Sequence, residues 1–188
     1  MKCMFMCIFA TITLSTLSME HEITEPEDEP NTVTLTIPAL KPDPRQCTRE
    51  NNFIQICAQP PVDKHGALFR ESSSALTYTE RIKKESKLCM LAILAHLKSA
   101  LQHTEEVKEC HQITSYIRSS SNLYRPSEIT QRASALLLKI LNLTKNPKMT
   151  TLILESLPFD VNVEIEALFE IEGMKKTSGA AFASGDYD

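Results

Sequence analysis

Four cysteines, Cys47, Cys57, Cys89 and Cys110, and five histidines are the residues best suited to chemistry once the N-terminal segment with Cys3 and Cys7 is set aside. Thiols can attack, ligate a metal or pair with one another. His111 follows Cys110 directly, but a cysteine nucleophile needs a free thiolate, and Cys110 has other thiols with which to oxidise. Zinc sites use closely spaced ligand pairs; no C-x-x-C occurs, and Cys110 with His111 is the nearest approach. An even set of cysteines in an exported chain points instead to two disulfides. Of the connectivities these cysteines allow, the local one, Cys47 with Cys57 and Cys89 with Cys110, is preferred.

His96 falls inside an apolar helical pattern and His103 near its end. Serines are plentiful, yet no G-x-S-x-G frames one as a nucleophile, and Ser72 to Ser74 reads as a loop or helix cap. Glu164 and Glu166 alternate with apolar residues, which puts them on one strand face about 7 Å apart. That spacing suits paired acid and base, but with Glu170 and Glu172 in the same row the simpler reading is a solvated face. Asn142-Leu143-Thr144 is the only N-x-S/T sequon and makes Asn142 the glycosylation candidate. No catalytic, cofactor-binding or metal-ligating set is expected, and the chain reads as a non-enzyme.

The segment from Met1 to Ser18 has a lysine, an apolar run from Cys3 to Leu14 and small polar residues before Glu20. This is the pattern of a secretory signal peptide, and a run that short is not the roughly twenty residues of a membrane span. The predicted location is therefore secreted and extracellular, without a stable membrane span after cleavage. Twenty Lys and Arg against 24 Asp and Glu give a net charge of −4. The basic residues are scattered, so nucleic acid is not an expected partner. Four glycines leave little for a phosphate cradle.

The expected organisation is a signal peptide at 1–18, an acidic, proline-containing leader with a short strand at 19–46, a disulfide-stapled helical bundle at 47–158, and a strand region with a polar tail at 159–188. Within the leader, Thr32 to Ile37 alternates as a strand does. Ile82, Leu88, Leu91, Leu94, Leu97 and Leu101 predict the best helix, from about Thr77. Val107, Cys110, Ile113 and Ile117 predict a second over Glu105 to Ser119. Ile129, Ala133, Leu136, Leu137, Ile140 and Leu141 predict a third, with Ser127 as its N-cap. Thr150 to Ser156 reads as a short fourth helix, and Val161 to Ile171 as a long strand with one apolar face whose partners are to be sought in Thr32 to Ile37 and Gly179 to Ser184. The fold class is thus α+β, a small helical bundle followed by a C-terminal β-strand region.

This order of elements, with the small-residue segment Ser178-Gly179-Ala180-Ala181-Phe182-Ala183-Ser184 after the strand, resembles the ectodomain of adhesion G-protein-coupled receptors. The likeness is to the helical half of the autoproteolysis-inducing domain and its first strands, in the subfamily that carries EGF modules, and it covers Tyr78 to Ser184. The family cleaves itself at His-Leu-Ser/Thr; here the only His-Leu is His96-Leu97, followed by Lys98, so self-cleavage is not implied. EGF cysteine patterns and the membrane helices are absent as well. The resemblance implies a truncated, secreted, non-enzymatic module that binds an extracellular protein partner or receptor. A secreted cytokine-like helical ligand is the alternative, against which the terminal strand counts.

Overall fold

The computed structural model describes residues 23–25, 33–38, 40, 43, 45–70, 76–120 and 125–173. The expected signal peptide, Ser72 to Ser74 and the segment from Ser178 to Ser184 lie outside them. Two short strands, β1 (Ile23–Glu25) and β2 (Val33–Leu35), pair antiparallel. The main sheet contains β3 (Cys47–Glu50), β4 (Phe53–Gln59), β5 (Glu105–Arg118), β6 (Lys148–Leu154) and β7 (Val163–Gly173), in the order β3-β4-β7-β5-β6. All pairs are antiparallel except β5 with β6. Helix α1 (Tyr78–Ala100) connects β4 to β5, and α2 (Pro126–Ile140) connects β5 to β6.

Local chemistry accounts for both helices. Thr77 and Glu80 form a reciprocal cap: the Glu80 N–H donates to Thr77 Oγ1 at 3.2 Å and the Thr77 N–H to Glu80 Oε2 at 2.7 Å. Helix α2 starts at Pro126 after Arg125 in a left-handed conformation, so Ser127 is not the N-cap that its type suggested. The helix ends with Asn142 at φ 54°, where the Asn142 N–H reaches the Lys139 carbonyl at 3.2 Å and the Leu143 N–H the Leu138 carbonyl at 2.9 Å. That pair of bonds is a Schellman cap, and it leaves Asn142 and Thr144 of the sequon exposed while Leu143 packs against the core.

Both helices cover one face of the sheet. Ile54 and Ile56 of β4, Cys110, Ile113 and Ile117 of β5, and Val163, Ile165, Ala167, Phe169 and Ile171 of β7 form one apolar cluster with Ile82, Met90, Ile93 and Leu97 of α1 and Ile129, Ala133 and Leu137 of α2.

The expected helical bundle is therefore overturned: only two α-helices occur among the described residues, and they lie on a five-stranded sheet. The segment predicted as a second helix is β5. Its inward residues, Val107, Cys110, Ile113, Ser115 and Ile117, stand opposite Ile171, Phe169, Ala167, Ile165 and Val163. Register shifts at Val107/Glu109 and Cys110/Gln112 each place one extra residue between inward positions. The strand's period of two becomes three at both places and imitates a helix. The fourth predicted helix is the edge strand β6. The strand expected to end the fold is instead its centre, and its neighbours are β4 and β5 rather than the terminal segments.

The two expected disulfides are also absent; Cys47, Cys57, Cys89 and Cys110 are free thiols. Cys89 Sγ lies 3.7 Å from the Val163 carbonyl, whereas Cys110 stands opposite Phe169. Six strand residues separate those contacts, roughly 20 Å, against the roughly 7 Å that limits Cα separation in a disulfide. Cys47 pairs with Ile56, one residue out of register with Cys57. Maleimide labelling should accordingly reach Cys89 and Cys110 only after denaturation, with no reductant required. A disulfide-linked peptide containing either residue would overturn this.

Candidate functional site

The two bulges in β5 do more than bend the strand. Glu109 stands opposite Glu170 and Gln112 opposite Leu168, so Lys108 and His111 are the extra residues, without partners in the ladder. Both turn to the same acceptor. Lys108 Nζ is 2.5 Å from Glu170 Oε1, and His111 Nε2 is 2.8 Å from Glu170 Oε2. Asn52 Nδ2 donates to Glu170 Oε1 at 3.3 Å, and Phe53 packs its ring against His111 at 5.6 Å between centroids. Glu109 completes the group: its Oε1 is 3.6 Å from His111 Nδ1 and 2.5 Å from Lys145 Nζ. The Lys108 ammonium, and after it the His111 ring, holds the Glu170 carboxyl below its ordinary range.

The opposite end of β7 carries a different network. Glu85 of α1, 2% exposed, accepts from the Asn162 N–H at 3.2 Å and from Asn162 Nδ2 at 2.8 Å. Arg118 holds the other side of Asn162 through Nη2 at 2.5 Å and also pairs with Asp160. The Tyr78 hydroxyl donates to the Arg118 carbonyl at 2.6 Å. Burial raises the Glu85 carboxyl, and the Asn162 donors only partly offset that. The network ties α1 to the start of β7 and gives Glu85 a structural role. Phe159 and Asp160, at φ 58° and 56°, form the tight turn beside it.

Between these ends, the sheet face away from the helices presents Thr114 and Tyr116 of β5 beside Glu166 and Glu164 of β7. Tyr116 hydrogen-bonds to Glu166. Glu164 is 7% exposed, and among the described residues no cation or hydrogen-bond donor is paired with it. Burial alone holds its carboxyl above the usual range.

Of the residues singled out in the sequence, Glu164 and Glu166 do share a face, but on the central strand. His96 is buried in α1, where desolvation lowers its basicity, and His103 is in the turn after the helix. Burial pushes the Cys110 thiol up to about 12 and Cys89 well above its ordinary value, so neither supplies a thiolate near neutral pH. The grouping of Lys108, Glu109, His111 and Glu170 was not found from sequence. Its one signal, the three-residue steps from Val107 to Cys110 to Ile113, has this meaning only once the segment is known to be a strand.

No family model and no curated protein matches the chain. Solved structures do. A protein of unknown function from Agrobacterium tumefaciens, Atu1372, superposes with a TM-score of 0.58 at 21% identity, over 73% of this chain and 87% of that one. A putative endoribonuclease from Shewanella oneidensis gives a TM-score of 0.58 at 16% identity, over 66% and 83%. The chain shares their fold. The YjgF gene product of Escherichia coli also matches, at 18% identity, over 71% and 91%, with a TM-score of 0.49. The adhesion-receptor resemblance is overturned by the fold shared with the first two: the stretch likened to the helical half of an autoproteolysis-inducing domain is a helix-backed sheet. With it falls the reading as a secreted receptor-like or cytokine-like binding module.

The Glu170 clamp makes a direct prediction. A carboxyl with a lowered folded-state pKa contributes stability above its unfolded pKa of about 4.3, and the contribution is lost as pH falls through the folded value. In K108M the Glu170 carboxyl should titrate higher by NMR, and acid unfolding should begin at a higher pH than in the parent. Identical titration in the two proteins would show that Lys108 does not hold Glu170.

Proposed function

We propose that the chain is a small-molecule-binding protein rather than an enzyme, and that the helix-free sheet face around Glu164 takes a ligand bearing a protonated amine. The observation that carries this is Glu164 itself. The residue is 7% exposed and its carboxylate has no cationic partner among the described residues, and a charge partly withdrawn from water is costly unless it is paired. An ammonium group supplies the missing charge. Glu166, Tyr116 and Thr114 flank it with acceptors and hydroxyls that orient a polar ligand.

Binding without turnover is favoured by the state of the nucleophile candidates: the Cys89 and Cys110 thiols are raised by burial, and His111 is held between two carboxylates. One fold neighbour is described as a putative endoribonuclease. The carboxylates of this face repel phosphate, so the RNA-cleaving description is not extended to this chain.

Titration with n-butylamine, charged at neutral pH, against uncharged n-pentanol tests the reading. The amine should bind, the alcohol should not, and E164Q should weaken the amine by about tenfold or more, the worth of a charged hydrogen bond. Binding should fade as pH drops through the raised Glu164 value, because the carboxyl must be ionised. Equal affinity in E164Q, with E172Q as the exposed control, overturns the proposal.

Export is a separate proposal that rests on the pattern of residues 1–18 alone. Protein made in secretory cells should begin near Met19; retention inside the cell with Met1 intact overturns it.

A further inference from the structure

We propose that Glu109, His111 and Glu170 form a binding site for a divalent transition ion of the zinc class, six β7 residues along the same sheet face from Glu164. Each residue offers one ligand atom, and the three atoms lie within 4.8 Å of one another at half-buried positions. Ions of this class bind imidazole nitrogen and carboxylate oxygen at about 2.0–2.2 Å, which sets ligand atoms a little over 3 Å apart. The two carboxylates sit at opposite ring nitrogens, 3.6 Å from His111 Nδ1 to Glu109 Oε1 and 2.8 Å from His111 Nε2 to Glu170 Oε2. Only one ring nitrogen can face the ion, so the carboxylate on the other side closes in by side-chain rotation. One imidazole and two carboxylates give a mixed nitrogen and oxygen set, unsuited to soft Cu(I) and suited to Zn²⁺ or its neighbours. Three protein ligands leave a position for water or a small ligand.

Placement supports the same reading. His111 reaches this face because the second bulge lifts it out of the ladder, and Glu109 and Glu170 form the cross-strand pair beside it. Bulges re-aim side chains in this way next to functional sites. Phe53 supports the imidazole ring from β4. The carboxylates are bridged by Lys108 and Lys145, whose side chains are 50% and 70% exposed. Such exposed ammonium pairs are weak, so a dication can replace them, and the released lysines return to water. The dication and the two lysines thus compete for the same carboxylate charge.

That competition provides a test that loss of folding cannot imitate. Calorimetric titration of the full chain with Zn²⁺ should show one equivalent bound. H111A and E170Q, each checked for native circular dichroism, should weaken binding by tenfold or more. The double variant K108M/K145M should bind Zn²⁺ more tightly than the parent. Co²⁺ substitution should give visible d–d bands without a thiolate charge-transfer band. Unchanged affinity in H111A, weaker binding in K108M/K145M, or a thiolate band that places the ion on Cys47 and Cys57 would each overturn the site.

Discussion

The register of β7 is the constraint on which the rest depends. Val163, Ile165, Ala167, Phe169 and Ile171 point to the helices and are at most 3% exposed, while Glu164, Glu166, Glu170 and Glu172 point the other way. Strand pairing at both edges, with β4 and β5, fixes that alternation. A slip by one residue would carry four carboxylates into the apolar layer, where each would lose its hydration without a partner. Its neighbours are placed by this strand: α1 packs on its apolar row, β4 and β5 pair with its edges, and both carboxylate sites are built on its outer row.

Those two sites show how far surroundings separate chemically identical groups. Glu164 and Glu170 lie on the same face of the same strand, six residues apart. Burial without a partner raises the first, and a lysine with a histidine lowers the second. The difference comes from what the neighbouring strand supplies: a tyrosine opposite Glu164, and two basic residues freed from pairing beside Glu170.

The parts of the fold governed by local chemistry were legible in the sequence. The leucine spacing marks α1, the apolar spacing from Ile129 to Leu141 marks α2, and strict alternation marks β7. What was not legible depends on pairing. The β5 bulges gave Val107, Cys110 and Ile113 a helical spacing, and β6 carries neighbouring apolar residues, Leu152, Ile153 and Leu154, 39 to 47% exposed, in place of alternation. Four cysteines suggested bridges because counting them says nothing of the strand length between Cys89 and Cys110. The Glu164 face was half legible: its spacing was read, but a central strand, unlike a terminal one, shelters its outer row.

The bulged positions have a consequence for how such a protein can change. Lys108 and His111 sit outside the hydrogen-bond register, and neither contributes to the buried cluster that fixes the fold. Their side chains are therefore chosen almost free of the demands of folding, while the backbone around them stays anchored by Val107, Cys110 and Ile113. A lineage could exchange the residues at these two points, and so retune or abandon the chemistry beside Glu170, without disturbing the sheet. The scaffold and the site can drift at different rates.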